Sequence, residues 1–303
     1  MVGINYIFLL SAGFSSVIAT AGMLDTRSIP TSAGLDLNGS STTQTGFNSN
    51  GTQPSPSRPL GNPSLPGWTS SGGLNWVGFD ITEFNSSITL SYNFAVGGAT
   101  TDADLIPPYT TGIRTFVDQV VDYKQLVARE SPAWTRENLL VGVWIGNNDV
   151  GGTFGNQDAE SLYAKVLDRY FEQLEILHAC GVNNFVLLAV GPQHETPLMR
   201  EKTPETNARL AWAVETYNNL MRRNLKAFKK RNRNVKAWMV VTAAAYYRVL
   251  NNLAAFGLPD ATCTNKDGVS CAWWDNYHPG IEIHHQLGIE TARTVGAPWF
   301  RVP

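Results

Sequence analysis

Leu139-Leu140-Val141-Gly142-Val143-Trp144-Ile145 is a nearly unbroken apolar run, and Gly146-Asn147-Asn148-Asp149 follows it at once. Hydrophobicity without alternation marks a strand buried on both faces, as in a parallel sheet covered by helices. Asn184 to Val190 and Val235 to Val241 have the same character, and Ile88 to Asn93 is a short alternating run. Between these runs the apolar residues take helical spacing: Ile113, Phe116, Val120, Tyr123 and Val127, then residues 159–179, then 204–231, with a last helix after Pro279. Strands alternating with helices predict one three-layer α/β domain with a parallel sheet and right-handed crossovers. No internal repeat or linker interrupts the pattern. Sites in such sheets form at the carboxyl ends of strands. Gly97-Gly98 follows one predicted strand and Asn148 the next.

With 43 % hydrophobic and 16 % charged residues, the 303-residue chain can build a sizeable core and is not globally disordered. The formal net charge is −2, and the one basic stretch, Arg222-Arg223 to Arg233, lies on a predicted helix with Leu225 and Phe228 turned to the core. That is a solvated helix face, not a nucleic-acid patch. Residues 1–22 are expected to be a signal peptide: Tyr6 to Ala21 is apolar, and Ala19-Thr20-Ala21 offers a cleavage site. The run is too short and too rich in Ser and Gly for a membrane span. Sequons at Asn38-Gly39-Ser40, Asn50-Gly51-Thr52 and Asn85-Ser86-Ser87 agree with a secreted, extracellular protein. Residues 23–303 are expected to form the single domain, as a monomer without membrane contact. Residues 48–75 read as a long ordered loop with Trp68 and Trp76 as anchors. Cys263 and Cys271, close together in a polar loop, are expected to pair, and Cys180 to be a buried free thiol.

Three short motifs carry chemistry, in order along the chain. Asp275-Asn276-Tyr277-His278 places a carboxylate three residues before a histidine, where it can accept the Nδ1 proton and fix the tautomer. Pro279 disfavours helical geometry at His278, so the ring can project from a loop. A loop histidine beside a capping Asp275 is the plainer alternative. Asn93-Phe94-Ala95-Val96-Gly97-Gly98 ends in a turn where backbone can approach a ligand, or simply in a turn. Asn148 carries a two-donor amide suited to an oxyanion, or closes an Asx-rich turn. Gly39-Ser40-Ser41 offers the hydroxyl that ester hydrolysis by covalent catalysis needs.

Together these motifs resemble the SGNH/GDSL hydrolases, whose four blocks supply Ser, Gly, Asn and His. A closer likeness is to the fungal acetylesterases of carbohydrate esterase family 16. It is carried by Thr43-Gln44-Thr45-Gly46-Phe47-Asn48, Gly51-Thr52-Gln53-Pro54-Ser55-Pro56, Pro59-Leu60-Gly61-Asn62-Pro63 and Pro66-Gly67-Trp68. Gly97-Gly98-Ala99-Thr100, Trp144-Ile145-Gly146 and Trp274-Asp275-Asn276-Tyr277-His278-Pro279 continue it. The resemblance implies a flavodoxin-like α/β/α sandwich of about five parallel strands, the SGNH hydrolase fold. It implies Ser41 as nucleophile, Asp275 and His278 as orienting acid and base, and Ser41, Gly98 and Asn148 as oxyanion donors. The implied reaction removes acetyl groups from sugars such as acetylated xylo-oligosaccharides, with no metal and no organic cofactor. Two alternatives stand beside it: a lipolytic or thioester acyl hydrolase of the same fold, and a catalytically impaired carbohydrate-binding relative. The latter is motivated by a departure, since the family reads Gly-Asp-Ser where this chain has Gly39-Ser40-Ser41, after a segment that makes a poor buried strand.

Aromatic residues near the motifs are candidate sugar contacts. Trp144 is expected in the core, Trp273 or Trp274 in a substrate cleft, and His194 at the rim of the site. His284 and His285 lie on the last helix, one of them facing solvent and neither expected to bind metal.

Overall fold

The computed structural model describes residues 4–8 and 35–39 as backbone, and residues 41–130 and 134–302 in full. Six strands form one sheet, every pair parallel: β1 (Ile4–Phe8), β2 (Leu35–Gly39), β3 (Ile88–Tyr92), β4 (Leu139–Trp144), β5 (Asn184–Leu188) and β6 (Lys236–Val240). Across the sheet the order is β3-β1-β4-β5-β6. β4 is the strand whose apolar run was unbroken, and all six of its residues are buried. One of its edges carries β5. The other is shared end to end: β1 faces Leu139 and Leu140, while β2 faces Val141, Gly142 and Trp144. Six strands therefore fill five lanes, and the lane leading to Ser41 is made of two short pieces.

That division bears on the N-terminus. Residues 4–8, inside the stretch expected as a leader, form β1 and pair along the whole of β3. The remainder of that stretch, and Ser40, lie outside the described residues.

The helices are α1 (Trp76–Thr82), α2 (Phe116–Glu130), α3 (Asn147–Thr153), α4 (Ala159–Ala179), α5 (Pro197–Arg200), α6 (Pro204–Arg231), α7 (Thr242–Leu250) and α8 (Ile281–Val295). α1 and α7 pack on α8, while α2 and α6 pack on α4, giving a helical layer on each face of the sheet. The 28-residue α6 starts on an N-cap, where Thr203 accepts from the Thr206 amide at 3.3 Å and Pro204 opens the helix. Its Lys229, Lys230 and Arg231 sit in the last turn, where cations favour the helix dipole. Leu225 and Phe228 are buried and Arg222 and Arg223 exposed, as an amphipathic helix requires.

Several side chains sit where local sequence did not put them. Trp76 is buried and opens α1, but Trp68 is 71 % exposed and anchors nothing in the core. The loop around it is fixed by Asn62 instead, whose Nδ2 donates to the Asn48 and Thr52 carbonyls at 2.9 and 2.8 Å. Cys180 is an exposed free thiol, not a buried one, because it caps the solvent-facing end of α4. Cys263 and Cys271 are joined, closing a loop just before the Asp275–His278 segment.

Candidate active site

Ser41 stands at the start of the turn that leaves β2, and His278 lies 237 residues away in sequence. Their side chains meet in a hydrogen bond between Ser41 Oγ and His278 Nε2. On the other side of the ring, Nδ1 lies 2.9 and 3.0 Å from the two oxygens of Asp275. Asp275 Oδ1 also accepts from the amides of Tyr277 at 2.9 Å and His278 at 2.7 Å. Burial works to raise the Asp275 carboxyl, but the hydrogen bonds from the His278 ring and from these two amides outweigh it and hold the group well below the usual carboxylate range. It stays ionised, and so keeps the proton of His278 on Nδ1 and a lone pair on Nε2 facing the hydroxyl. Lys266 Nζ adds a contact at 3.3 Å to Asp275 Oδ2 and sits 3.4 Å over the Trp274 ring.

The turn beyond Ser41 is held from three sides. The Thr43 carbonyl accepts from Asn93 Nδ2 at 2.7 Å and from Asn75 Nδ2 at 2.9 Å. Asn75 Oδ1 caps α1 through the Gly78 amide, and Trp76 Nε1 donates to Thr43 Oγ1 at 3.2 Å. Gln44 reaches across to accept the Gly97 amide at 2.7 Å, tying this turn to the Gly97-Gly98 turn. None of Asn75, Trp76 or Gln44 was singled out for a role at the site from sequence. Their roles depend on which distant carbonyl they meet, which no local pattern encodes.

Gly98 and Asn148 come together beside this row. Asn148 Nδ2 donates one proton to the Ala99 carbonyl at 2.8 Å, so the second points its own way. The Thr101 amide donates to the buried Asp149 at 3.0 Å, fastening the Gly98 segment to the start of α3. Burial pushes the Asp149 carboxyl up to about 6, against the lowering effect of the Thr101 bonds. Gly98 has φ of 80°, a backbone conformation that strains any residue with a side chain, and its Cα lies under the Tyr109 ring, whose nearest carbon is 2.3 Å from where a Cβ would stand. Gly146 has φ of 110°, with a Cβ position 2.7 Å from the Tyr217 ring. This is the turn that delivers Asn147 and Asn148 from β4 into α3.

Of the candidate sugar contacts, Trp273 is corrected. It is wholly buried, its indole N–H bonded to the Ala261 carbonyl at 2.8 Å and its ring packed on Tyr246, so no substrate reaches it. Trp274 is half-buried beside His278, with ring centroids 6.0 Å apart. His194 faces a separate surface hollow with Arg200 and Asn207 and bonds Tyr247 Oη at 3.2 Å; burial lowers its pKa, with Glu195 opposing. Trp144 is in the core. A cleft of about 570 Å³ opens at the site, lined by Gly98, Tyr109, Asn148, Gly151, Gln193 and Tyr277 among others.

A hydroxyl bonded to an imidazole, an imidazole bonded to an ionised carboxylate, and a glycine amide beside an asparagine amide form the working set of a serine hydrolase. The chain belongs to the GDSL-like lipase/acylhydrolase family, which it matches over residues 38–290. It is 47 % identical over 264 residues to an acetylesterase of Thermothelomyces thermophilus, spanning 86 % of this chain and 86 % of that one. A catalytic mutant of Axe2, an acetylxylan esterase from Geobacillus stearothermophilus, shares the fold with a TM-score of 0.50 at 16 % identity, over 89 % of this chain and 97 % of that chain. The protein is an esterase.

Proposed function

We propose that the protein is a serine acetylesterase that removes acetyl groups from carbohydrates such as acetylated xylo-oligosaccharides. The observation that carries this reading is the Ser41–His278–Asp275 row of hydrogen bonds. Ser41 Oγ attacks the acetyl carbonyl while His278 Nε2 takes its proton, and Asp275 steadies the imidazolium. The tetrahedral oxyanion lies against the Gly98 and Ser41 amides and Asn148 Nδ2. His278 returns the proton to the departing sugar hydroxyl, and water, activated in turn by His278, releases acetate. Acetyl preference is supported by the name of the relative at 47 % identity, and a sugar alcohol by the sequence likeness described first. Ser41→Ala is expected to lower turnover of 4-nitrophenyl acetate by at least about 10⁴-fold. Activity near that of the parent protein in the variant removes Ser41 from the mechanism.

A second reading is favoured by the cleft, which is larger than an acetyl group needs and carries Leu105, Ile106, Phe154, Leu198 and Met199 on its walls. A longer acyl chain would be at home there. Rates that climb from acetate to octanoate among 4-nitrophenyl esters would select it.

Export from the cell belongs to the same proposal. The Cys263–Cys271 disulfide, the exposed sequon at Asn50 and the leader-like residues 1–22 support it. Cleavage after Ala21 would take β1 with it, so the first residue of the secreted protein, read by N-terminal sequencing, decides whether the strand at 4–8 survives into the mature enzyme.

A further inference from the structure

Trp68 and Tyr109 are the two most exposed aromatic rings among the described residues, at 71 % and 84 %. Single exposed rings scattered over a surface need no explanation. These two are not scattered, for both meet the turn at Gly97-Gly98. Tyr109 lies on Gly98 itself, with Ile113 alongside, and borders the cleft that holds Asn148. Trp68 is tied to Gly97 through one carboxamide: Gln44 Oε1 accepts the Gly97 amide at 2.7 Å, and Gln44 Nε2 donates to the Trp68 carbonyl at 3.3 Å. Gly97 in turn is close to the nucleophile, since a Cβ built on it would lie 3.8 Å from Ser41 Cβ.

The indole is held as well as exposed. The Trp68 amide donates to the Thr45 carbonyl at 2.9 Å, and the ring rests on the bare backbone of Gly46, its Cε3 2.6 Å from where a Cβ would stand. Thr45 and Gly46 follow Ser41 directly, so the indole and the hydroxyl share one support. Leaving an aromatic ring in water forgoes the stabilisation that burial would bring. A ring that is wet and already ordered is a surface on which a ligand loses little freedom of the protein's own. Sugar rings suit it, because they offer C–H faces to an aromatic and keep their hydroxyl edges in water. Tyr109 is a wall of the cleft and Trp68 is not, so the two rings meet different parts of a substrate. One lies beside the oxyanion donors, and the other stands outside the cleft.

We propose that Tyr109 and Trp68 are aromatic platforms for the sugar chain. Tyr109 takes the ring that bears the acetyl group, and Trp68 takes a neighbouring ring of the same oligosaccharide. The enzyme then prefers a sugar over a simple alkyl ester, and a chain over a single sugar. The inference rests on the carbohydrate reading above. The test measures kcat/KM for acetate release from ethyl acetate, acetylated xylose and acetylated xylotetraose. Tyr109→Ala is expected to lower the ratio of xylose to ethyl ester by about 3- to 10-fold, and Trp68→Ala the ratio of tetraose to xylose by a similar factor, the size of one aromatic contact. Both side chains lie outside the core, and the backbone bonds at Trp68 persist in its variants. Tyr109→Phe and Trp68→Phe keep a ring and should hold the parent ratios within about 2-fold. A ratio unmoved in its alanine variant overturns the proposal, because a purely structural role slows all three substrates alike. A phenylalanine variant that falls as far as the alanine one also overturns it, since no ring face is then in use. So does a parent enzyme equally fast on the xylose and tetraose esters, which leaves Trp68 nothing to hold. Loss of 4-nitrophenyl octanoate hydrolysis in Tyr109→Ala with both sugar ratios held assigns that ring to an acyl chain, again overturning it. A parent enzyme that cleaves ethyl acetate but releases no acetate from either sugar defeats the carbohydrate reading itself, a separate result.

Discussion

Two stretches of chain meet at the Ser41–His278 hydrogen bond, and they are built in opposite ways. The carboxyl-terminal stretch is self-contained. Within Trp274 to His278, the Trp274 amide donates to the His278 carbonyl at 2.8 Å and Asp275 collects the two amides that follow it. The disulfide closes the loop just ahead. The amino-terminal stretch has no such local frame. Ser41 follows a lane assembled from two short strands, and its turn is held by Asn75, Trp76 and Asn93, from α1 and from the end of β3. The base is presented by its own neighbours and the hydroxyl by distant ones.

The sharpest way to break the carboxyl-terminal half is Asp275→Asn. The two backbone amides still find an acceptor, so the loop keeps its shape, but the ring loses the carboxylate that fixes its tautomer. A fall in kcat of about 10³–10⁴-fold is expected with little change in melting temperature. Steady-state kinetics on 4-nitrophenyl acetate that stay within about 10-fold of the parent would remove Asp275 from the mechanism and leave it as a cap.

This contrast also explains what was legible in the sequence. Asp275 and His278 could be read because their relation is local, three residues apart. β4, α4 and α6 could be read because long apolar runs and long helical periods leave little choice of structure; residues 159–179 and 204–231 are the observed α4 and α6. α1 was hidden: seven residues in a stretch dominated by Asn, Gly, Pro and Ser show no full helical period, and its buried Trp76 passed for a loop anchor. α7 follows β6 after a single residue, and the apolar run of the strand masked it. The same ambiguity touched residues 4–8, where apolar residues serve a leader and an inner strand equally well. Trp68 and Trp273 were misjudged because tryptophan in a loop carries no label for which face of the fold it meets.

The amino-terminal half breaks more gradually. Asn93→Ala removes one of two side-chain donors from the Thr43 carbonyl and leaves the Ala95 amide without its 3.0 Å acceptor. A loss of about 1–3 kcal/mol in unfolding free energy is expected, because Asn93 is wholly buried and water cannot replace it. kcat should fall with it, as the hydroxyl drifts from the ring. Urea melts and kinetics together make the check. A variant that melts earlier but turns over at the parent rate would mean that the turn does not depend on Asn93 for its position.

The smallest effect concerns the helix that joins the two halves. α8 begins just beyond His278, and its His284 accepts the Trp76 amide at 3.3 Å, at the start of the helix whose cap braces the Ser41 turn. Burial, with a lesser push from His278, lowers His284 to about 3. His285, next in sequence, faces outward between Glu83 at 3.0 Å and Glu282 at 3.9 Å; Glu282 acts most strongly, burial next and in the opposite direction, then Glu83, and the two carboxylates together raise it to about 9. The two histidines therefore act on stability from opposite sides. Below about 6.5 the unfolded chain protonates His284 and the folded one does not, so stability falls as pH drops from there toward 3. Between about 6.5 and 9 the folded chain holds a proton on His285 that the unfolded chain has released, so that contribution is full below 6.5 and fades as pH rises through 9. Because Glu83 is 51 % exposed, solvent screens the pair, and the alkaline loss should stay under about 1 kcal/mol. Urea midpoints for the parent and for Glu83→Gln across pH 6 to 10 measure it: the variant should show the shallower alkaline decline, and equal slopes would mean that Glu83 does not hold the proton on His285.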